Sequence, residues 1–146
     1  MLAHSATVAG LLAAAGMLPA NAQAAWNKGA FDAKNVEDVV KAMGGSAPQA
    51  SGDVTLTGPD IAENGAVVPV GASSSLPGVK RLMLMVEKNP NTLAAAFDLT
   101  DAVEASVSTR VKMGQSSDVY AVAMTADGKV LFAKKEIKVT LGGCGG

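Results

Sequence analysis

The chain has 146 residues, with 12 Lys and Arg against 13 Asp and Glu, one Cys and one His. A net charge of −1 and 3% aromatic residues leave no basic footprint and no stacking platform, which argues against nucleic acid and anionic membrane as partners. One Cys closes no intramolecular disulfide and builds no multi-thiolate zinc or iron–sulfur site, and the length suits one domain with a modest core.

Residues 1–24 hold an apolar block at Leu11, Leu12, Ala13, Ala14 and Ala15, a helix-breaking Pro19, and the triplet Ala22-Gln23-Ala24. The pattern predicts an export signal peptide cleaved after Ala24, and the run is too short and interrupted for a membrane span. No Lys or Arg precedes Lys28, so the charged start of such a signal is not visible and the export route is unassigned. His4 lies before the cleavage point, so the mature chain would contain no histidine. That removes the commonest general base near neutral pH and any Cys–His or Ser–His pair.

A short helix is predicted over residues 35–43. Asn35 is its N-cap, with Asp38 placed as in a capping box. Val36, Val39, Val40 and Met43 form one apolar face, and Gly44-Gly45 stops the helix. Ser46–Gly52 is a small-residue linker. Short strands follow at Asp53–Thr57, Ala66–Gly71, Val79–Glu87, Leu93–Asp98, Ala105–Met113, Asp118–Thr125 and Lys129–Leu141. Turn-rich segments separate them, and Asp127-Gly128 predicts a two-residue hairpin turn with positive φ. The spacing implies an all-β, immunoglobulin-like antiparallel β-sandwich over residues 25–141, with a short N-terminal helix.

The strand Val79–Glu87 is apolar on both faces. Leu82, Leu84 and Val86 alternate with Met83 and Met85. A strand with one buried face alternates apolar with polar, so the second face must be covered as well. The cover is either the N-terminal helix or a partner subunit, for which Met83 and Met85 are the candidate interface.

The sequence closes on Gly142-Gly143-Cys144-Gly145-Gly146. Gly142, Gly143, Gly145 and Gly146 carry no side chain, which predicts a bare, flexible arm over residues 142–146. Three extended residues place the sulfur about 10 Å beyond a strand ending near Leu141. With no His and no Lys or Arg near it in sequence, Cys144 should titrate as a free thiol, at about 8.5. It lacks the base and oxyanion hole of a catalytic nucleophile. Cys144 is therefore expected to be a handle for other enzymes and not itself catalytic. An unpaired thiol in an oxidising compartment also allows an intermolecular disulfide, and hence a disulfide homodimer. Prenylation needs the Cys fourth from the end, and here it is third.

Four segments carry a family resemblance. They are the Gly142–Gly146 ending, Ala62-Glu63-Asn64-Gly65-Ala66-Val67-Val68-Pro69-Val70, Val86-Glu87-Lys88-Asn89-Pro90, and Val107-Ser108-Thr109-Arg110-Val111-Lys112-Met113. The chain resembles the SoxY family, the sulfur-carrying subunits of periplasmic thiosulfate oxidation. The one departure is the absence of a twin-arginine pair at the N-terminus. The resemblance implies a periplasmic location, an immunoglobulin-like fold, a heterodimer with a SoxZ subunit and no cofactor of its own. It further implies that Cys144 holds sulfur covalently on a swinging arm. A c-type cytochrome would load it, a hydrolase would release sulfate, and a sulfane dehydrogenase would oxidise the remaining sulfur.

Overall fold

The computed structural model describes residues 27–143. The signal-peptide segment 1–24 and Cys144, Gly145 and Gly146 lie outside the described residues. Among the described residues two helices come first, α1 (Lys28–Asp32) and α2 (Val36–Ala42). Nine strands follow: β1 (Gln49–Ala50), β2 (Val54–Thr57), β3 (Ile61–Ala62), β4 (Val68–Ser74), β5 (Val79–Val86), β6 (Leu93–Asp98), β7 (Ser106–Val111), β8 (Ser117–Thr125) and β9 (Val130–Val139). The larger sheet runs β1-β9-β8-β5-β6, with β3 also pairing to β9; the smaller runs β2-β4-β7.

This is the expected all-β, immunoglobulin-like sandwich. The strands are antiparallel except that β1 and β3 pair with β9 in parallel. β1 arises inside the predicted Ser46–Gly52 linker, and β3 follows a turn that gave no strand signal. Two residues are too few for a periodic pattern, so only the free edge of β9 organises them.

The local chemistry of α2 follows its sequence. The Asp38 amide donates to Asn35 Oδ1 at 2.8 Å, and Asn35 Nδ2 donates to Asp38 Oδ2 at 2.7 Å. At the other end Gly44 adopts φ 82°. The Gly45 amide donates to the Val40 carbonyl and the Gly44 amide to the Lys41 carbonyl, which together form a Schellman stop. α1 is not signalled by any periodicity. Asn27 caps it, accepting from the Ala30 amide at 3.0 Å, and its Nδ2 donates to the Ala42 carbonyl at the end of α2.

The hairpin at Asp127-Gly128 differs from expectation. The Thr125 amide donates to the Lys129 carbonyl at 3.0 Å, so Ala126, Asp127 and Gly128 all belong to the loop. Gly128 alone has positive φ, at 88°. A three-residue loop with glycine in the left-handed region is the usual alternative to the two-residue turn.

Two apolar layers fill the molecule. Between the sheets lie Val54, Val68, Val70 and Ala72 from one side and Leu82, Leu84, Val86, Val119, Ala121 and Ile137 from the other. On the opposite face of the larger sheet, Met83, Met85 and Val122 pack with Ala30, Val36, Val39 and Val40 of the two helices. Met83 and Met85 are both 0% exposed. Of the two covers open to the sequence, the chain supplies its own. The reading of Met83 and Met85 as a partner interface is corrected: the helices already occupy that face.

Candidate functional site

The strand register brings described residues from each of the four resemblance segments together at one end of the sandwich. Val68 at the start of β4 pairs with Val111 at the end of β7. Val86 at the end of β5 pairs with Val119, and Ser117 at the start of β8 pairs with Ile137 near the end of β9. The loops beyond these positions converge where the chain leaves β9 towards Cys144.

There they form a socket made of backbone. The Gly65 amide donates to the Leu141 carbonyl at 2.7 Å. The Met113 amide donates to the Gly65 carbonyl at 2.7 Å, and the Gly143 amide donates to the Met113 carbonyl at 2.9 Å. Three segments distant in sequence thus close on one another. Upstream, the Thr140 amide donates to the Ala62 carbonyl at 3.1 Å, Thr140 Oγ1 donates to the Glu63 carbonyl at 3.0 Å, and the Val139 amide donates to Ser116 Oγ at 2.8 Å. The Met113 side chain is fully buried in the layer between the sheets, which ties the socket to the core.

The glycines here are required by contact. A Cβ on Gly143 would lie 2.8 Å from the Gly65 carbonyl oxygen and 2.9 Å from the Ala66 Cα. One on Gly142 would collide with the Gly114 carbonyl oxygen, and one on Gly65 with the Met113 carbonyl oxygen. Gly143 is buried. The predicted arm over residues 142–146 is therefore corrected at its root. Gly142 and Gly143 are seated against neighbouring backbone, because a chain without Cβ atoms can also approach other backbone closely. Gly145, Gly146 and Cys144 itself lie outside the described residues.

The loop that receives Gly143 carries Lys112, far from Cys144 in sequence, and the facing loop carries Glu63; both side chains are exposed. Val67 and Leu141, beside the junction, are 53% and 66% exposed. Among the described residues no group of three or more His, Cys, Asp or Glu could hold a metal ion. No helix among them is long and apolar enough to cross a membrane. Sequence reasoning identified the tail but missed Gly65 and Met113 as its supports. The segments that carry the resemblance contain both, yet nothing in the linear order showed that they meet.

Comparison with known proteins bears on this end of the molecule. A family model described as sulfur oxidation protein SoxY matches residues 39–144. The sulfur carrier protein SoxY from Chlorobium limicola f thiosulfatophilum is 31% identical, with a TM-score of 0.63, over 70% of this chain and 93% of that one. Superoxide reductase (neelaredoxin) from Ignicoccus hospitalis is 20% identical, with a TM-score of 0.53, over 59% of this chain and 79% of that one. At that identity the second likeness is one of fold. Comparison with curated protein sequences gives no match.

Proposed function

Because the chain belongs to the SoxY family, we propose that it is a periplasmic carrier holding thiosulfate-derived sulfur covalently on Cys144. The family match and the related carrier structure support the sulfur-carrier role and partnership within a Sox complex. The finer assignment concerns the attachment atom and the enzymes that act on it.

The observation that carries it is the seat of Gly143. The family match ends at Cys144, and the backbone is hydrogen-bonded up to the residue before it. A thiol attached there has a fixed root and a glycine on either side. It can be offered to another protein's pocket without a bulky neighbour to block approach.

The chemistry is then divided between carrier and partners. The Cys144 thiolate and the outer sulfur of thiosulfate form a new S–S bond and give up two electrons. A c-type cytochrome partner takes those electrons. The product is a cysteine S-thiosulfonate. A hydrolase partner adds water to its terminal sulfur, so the sulfonate leaves as sulfate with two protons and the carrier keeps a persulfide. A sulfane dehydrogenase partner can oxidise that remaining sulfur. The carrier supplies attachment and presentation, and a SoxZ subunit completes the heterodimer. No oxidant resides on this chain in the scheme, so a thiol of ordinary acidity suffices.

Intact-mass measurement after incubation with thiosulfate and the oxidising cytochrome tests the proposal. The wild type should gain the mass of one thiosulfate adduct, and Cys144→Ala should gain none. Adducts on Cys144→Ala would refute the attachment site. If only a disulfide-linked dimer supports turnover, the carrier reading gives way to an interaction protein.

A further inference from the structure

We propose that Asn89 is a positioning residue for Cys144, acting by clamping both sides of Met113 in the socket that seats Gly143. The inference rests on the carrier reading above and adds a residue to it.

Asn89 lies in the loop between β5 and β6. Its Nδ2 donates to the Lys112 carbonyl at 2.7 Å, and its Oδ1 accepts from the Gly114 amide at 3.2 Å. These groups flank Met113. β7 ends at Val111, so Lys112 and Gly114 have left the sheet ladder. One planar amide supplies both the donor and the acceptor that a neighbouring strand would have given. Between these two anchors, the Met113 amide reaches Gly65 and the Met113 carbonyl receives Gly143. The Gly114 carbonyl in turn lies against Gly142. A shift of this loop must therefore move both glycines that precede Cys144.

Asn89 is itself braced. Its amide donates to the Val86 carbonyl at 3.2 Å, and the Lys88 amide donates to the buried Ser117 hydroxyl at 3.0 Å. Pro90 fixes the next backbone angle. Lys34 Nζ donates to the Pro90 carbonyl and to Asn91 Oδ1, each at 2.7 Å. The clamp is thus a rigid loop reaching across to a segment that has no strand partner. Its chemistry restricts the residue. Aspartate keeps the acceptor and loses the donor, and alanine loses both.

The role is positional because Asn89 acts through Met113 and Gly143 and touches no substrate. An enzyme that must meet a sulfur at a set distance is sensitive to a displaced root, and a misplacement of about 1 Å can cost a hundredfold in rate. A small diffusing reagent is not.

The test uses the full chain in its heterodimer, as wild type, Asn89→Ala and Asn89→Asp. Amide exchange at Gly143 is followed by NMR, with Val122 as the core control. Asn89→Ala should speed Gly143 exchange about tenfold or more, with Val122 unchanged, on the scale of local opening against global stability. Cytochrome-driven loading with thiosulfate should fall about ten- to a hundredfold in kcat/KM. Alkylation of Cys144 by iodoacetamide should stay within about twofold, because thiol acidity and not placement sets that rate. Asn89→Asp should fall between. Unchanged Gly143 exchange overturns the assignment, as does faster exchange with undiminished loading. Equal loss of exchange protection at Val122 also overturns it, since the residue would then be merely structural. If the wild type itself takes up no sulfur, the carrier reading fails, and the exchange measurement still decides whether Asn89 seats Gly143.

Discussion

The helix-covered face of the larger sheet and the socket at the root of the tail are held by opposite means. Beneath α1 and α2, Met83, Met85, Val36, Val39 and Val40 are buried by contact with one another, with no directional bond among their side chains. At the socket, each link is a hydrogen bond in which at least one partner is a backbone amide or carbonyl, and the close approaches involve Gly65, Gly142 and Gly143. Apolar burial is non-directional and is lost when volume or polarity changes. Backbone junctions are lost when a Cβ intrudes or a bond is misaligned. The first region therefore sustains stability, and the second sets the position of one atom group.

The largest expected effect breaks the first region. Replacing both Met83 and Met85 by Glu places two carboxylates at fully buried positions of an apolar cluster, which should unfold a domain whose total stability is about 5–15 kcal/mol. Met83→Ala alone should cost about 2–5 kcal/mol. Urea unfolding followed by circular dichroism checks both. A folded double variant would mean that the helices lift away from the sheet and leave that face for a partner.

The middle effect separates two glycines of the socket. Gly65→Ala places a Cβ against the Met113 carbonyl inside a closed junction, and should cost about 1–3 kcal/mol. Gly143→Ala instead places a Cβ 2.8 Å from the Gly65 carbonyl oxygen and 2.9 Å from the Ala66 Cα, a milder approach than that of a Gly65 Cβ to the Met113 carbonyl oxygen. It should cost about 0.5 kcal/mol or less while shifting the Met113 and Ala66 amide resonances. Equal losses of Tm in the two variants would remove the distinction between socket and tail.

The smallest effect concerns acid. The Lys135 ammonium lies 2.7 Å from Asp60 Oδ1, just before β3, and also donates to the Gly58 carbonyl. The hydrogen bond from Lys135, and then its charge, hold the Asp60 carboxyl below its ordinary value. A depressed folded-state pKa contributes stability that is fully present above the unfolded value of about 3.9 and is lost as pH falls through the folded one. Asp60→Asn should therefore be slightly less stable than wild type at pH 7, with the two curves merging as pH falls below the depressed folded-state value. Because both side chains face solvent, the gap should be small. A gap that persists at about pH 2, below the ordinary carboxylate range, would assign it to something other than this charge.

Much of the fold was legible in order along the chain. The cap at Asn35, the stop at Gly44-Gly45 and seven of the strands follow from side-chain period and turn residues, which act over a few positions. The boundaries moved by a few residues, as at Val68–Ser74 against an expected Ala66–Gly71. β1 and β3 were not legible, because two-residue strands exist only through β9.

The same division runs through the candidate site. The sequence by itself determined that one thiol, flanked by glycines, is the only cysteine nucleophile of the chain. It also determined that β5 is apolar on both faces. What covers the Met face, and whether glycine next to that thiol means freedom or close contact, only the tertiary structure decided. Glycine has the same chemistry in a loose tail and in a tight junction. The choice depends on whether other backbone comes within hydrogen-bond reach, and Gly65, Asn89 and Met113 are brought there by strand register and by no local pattern.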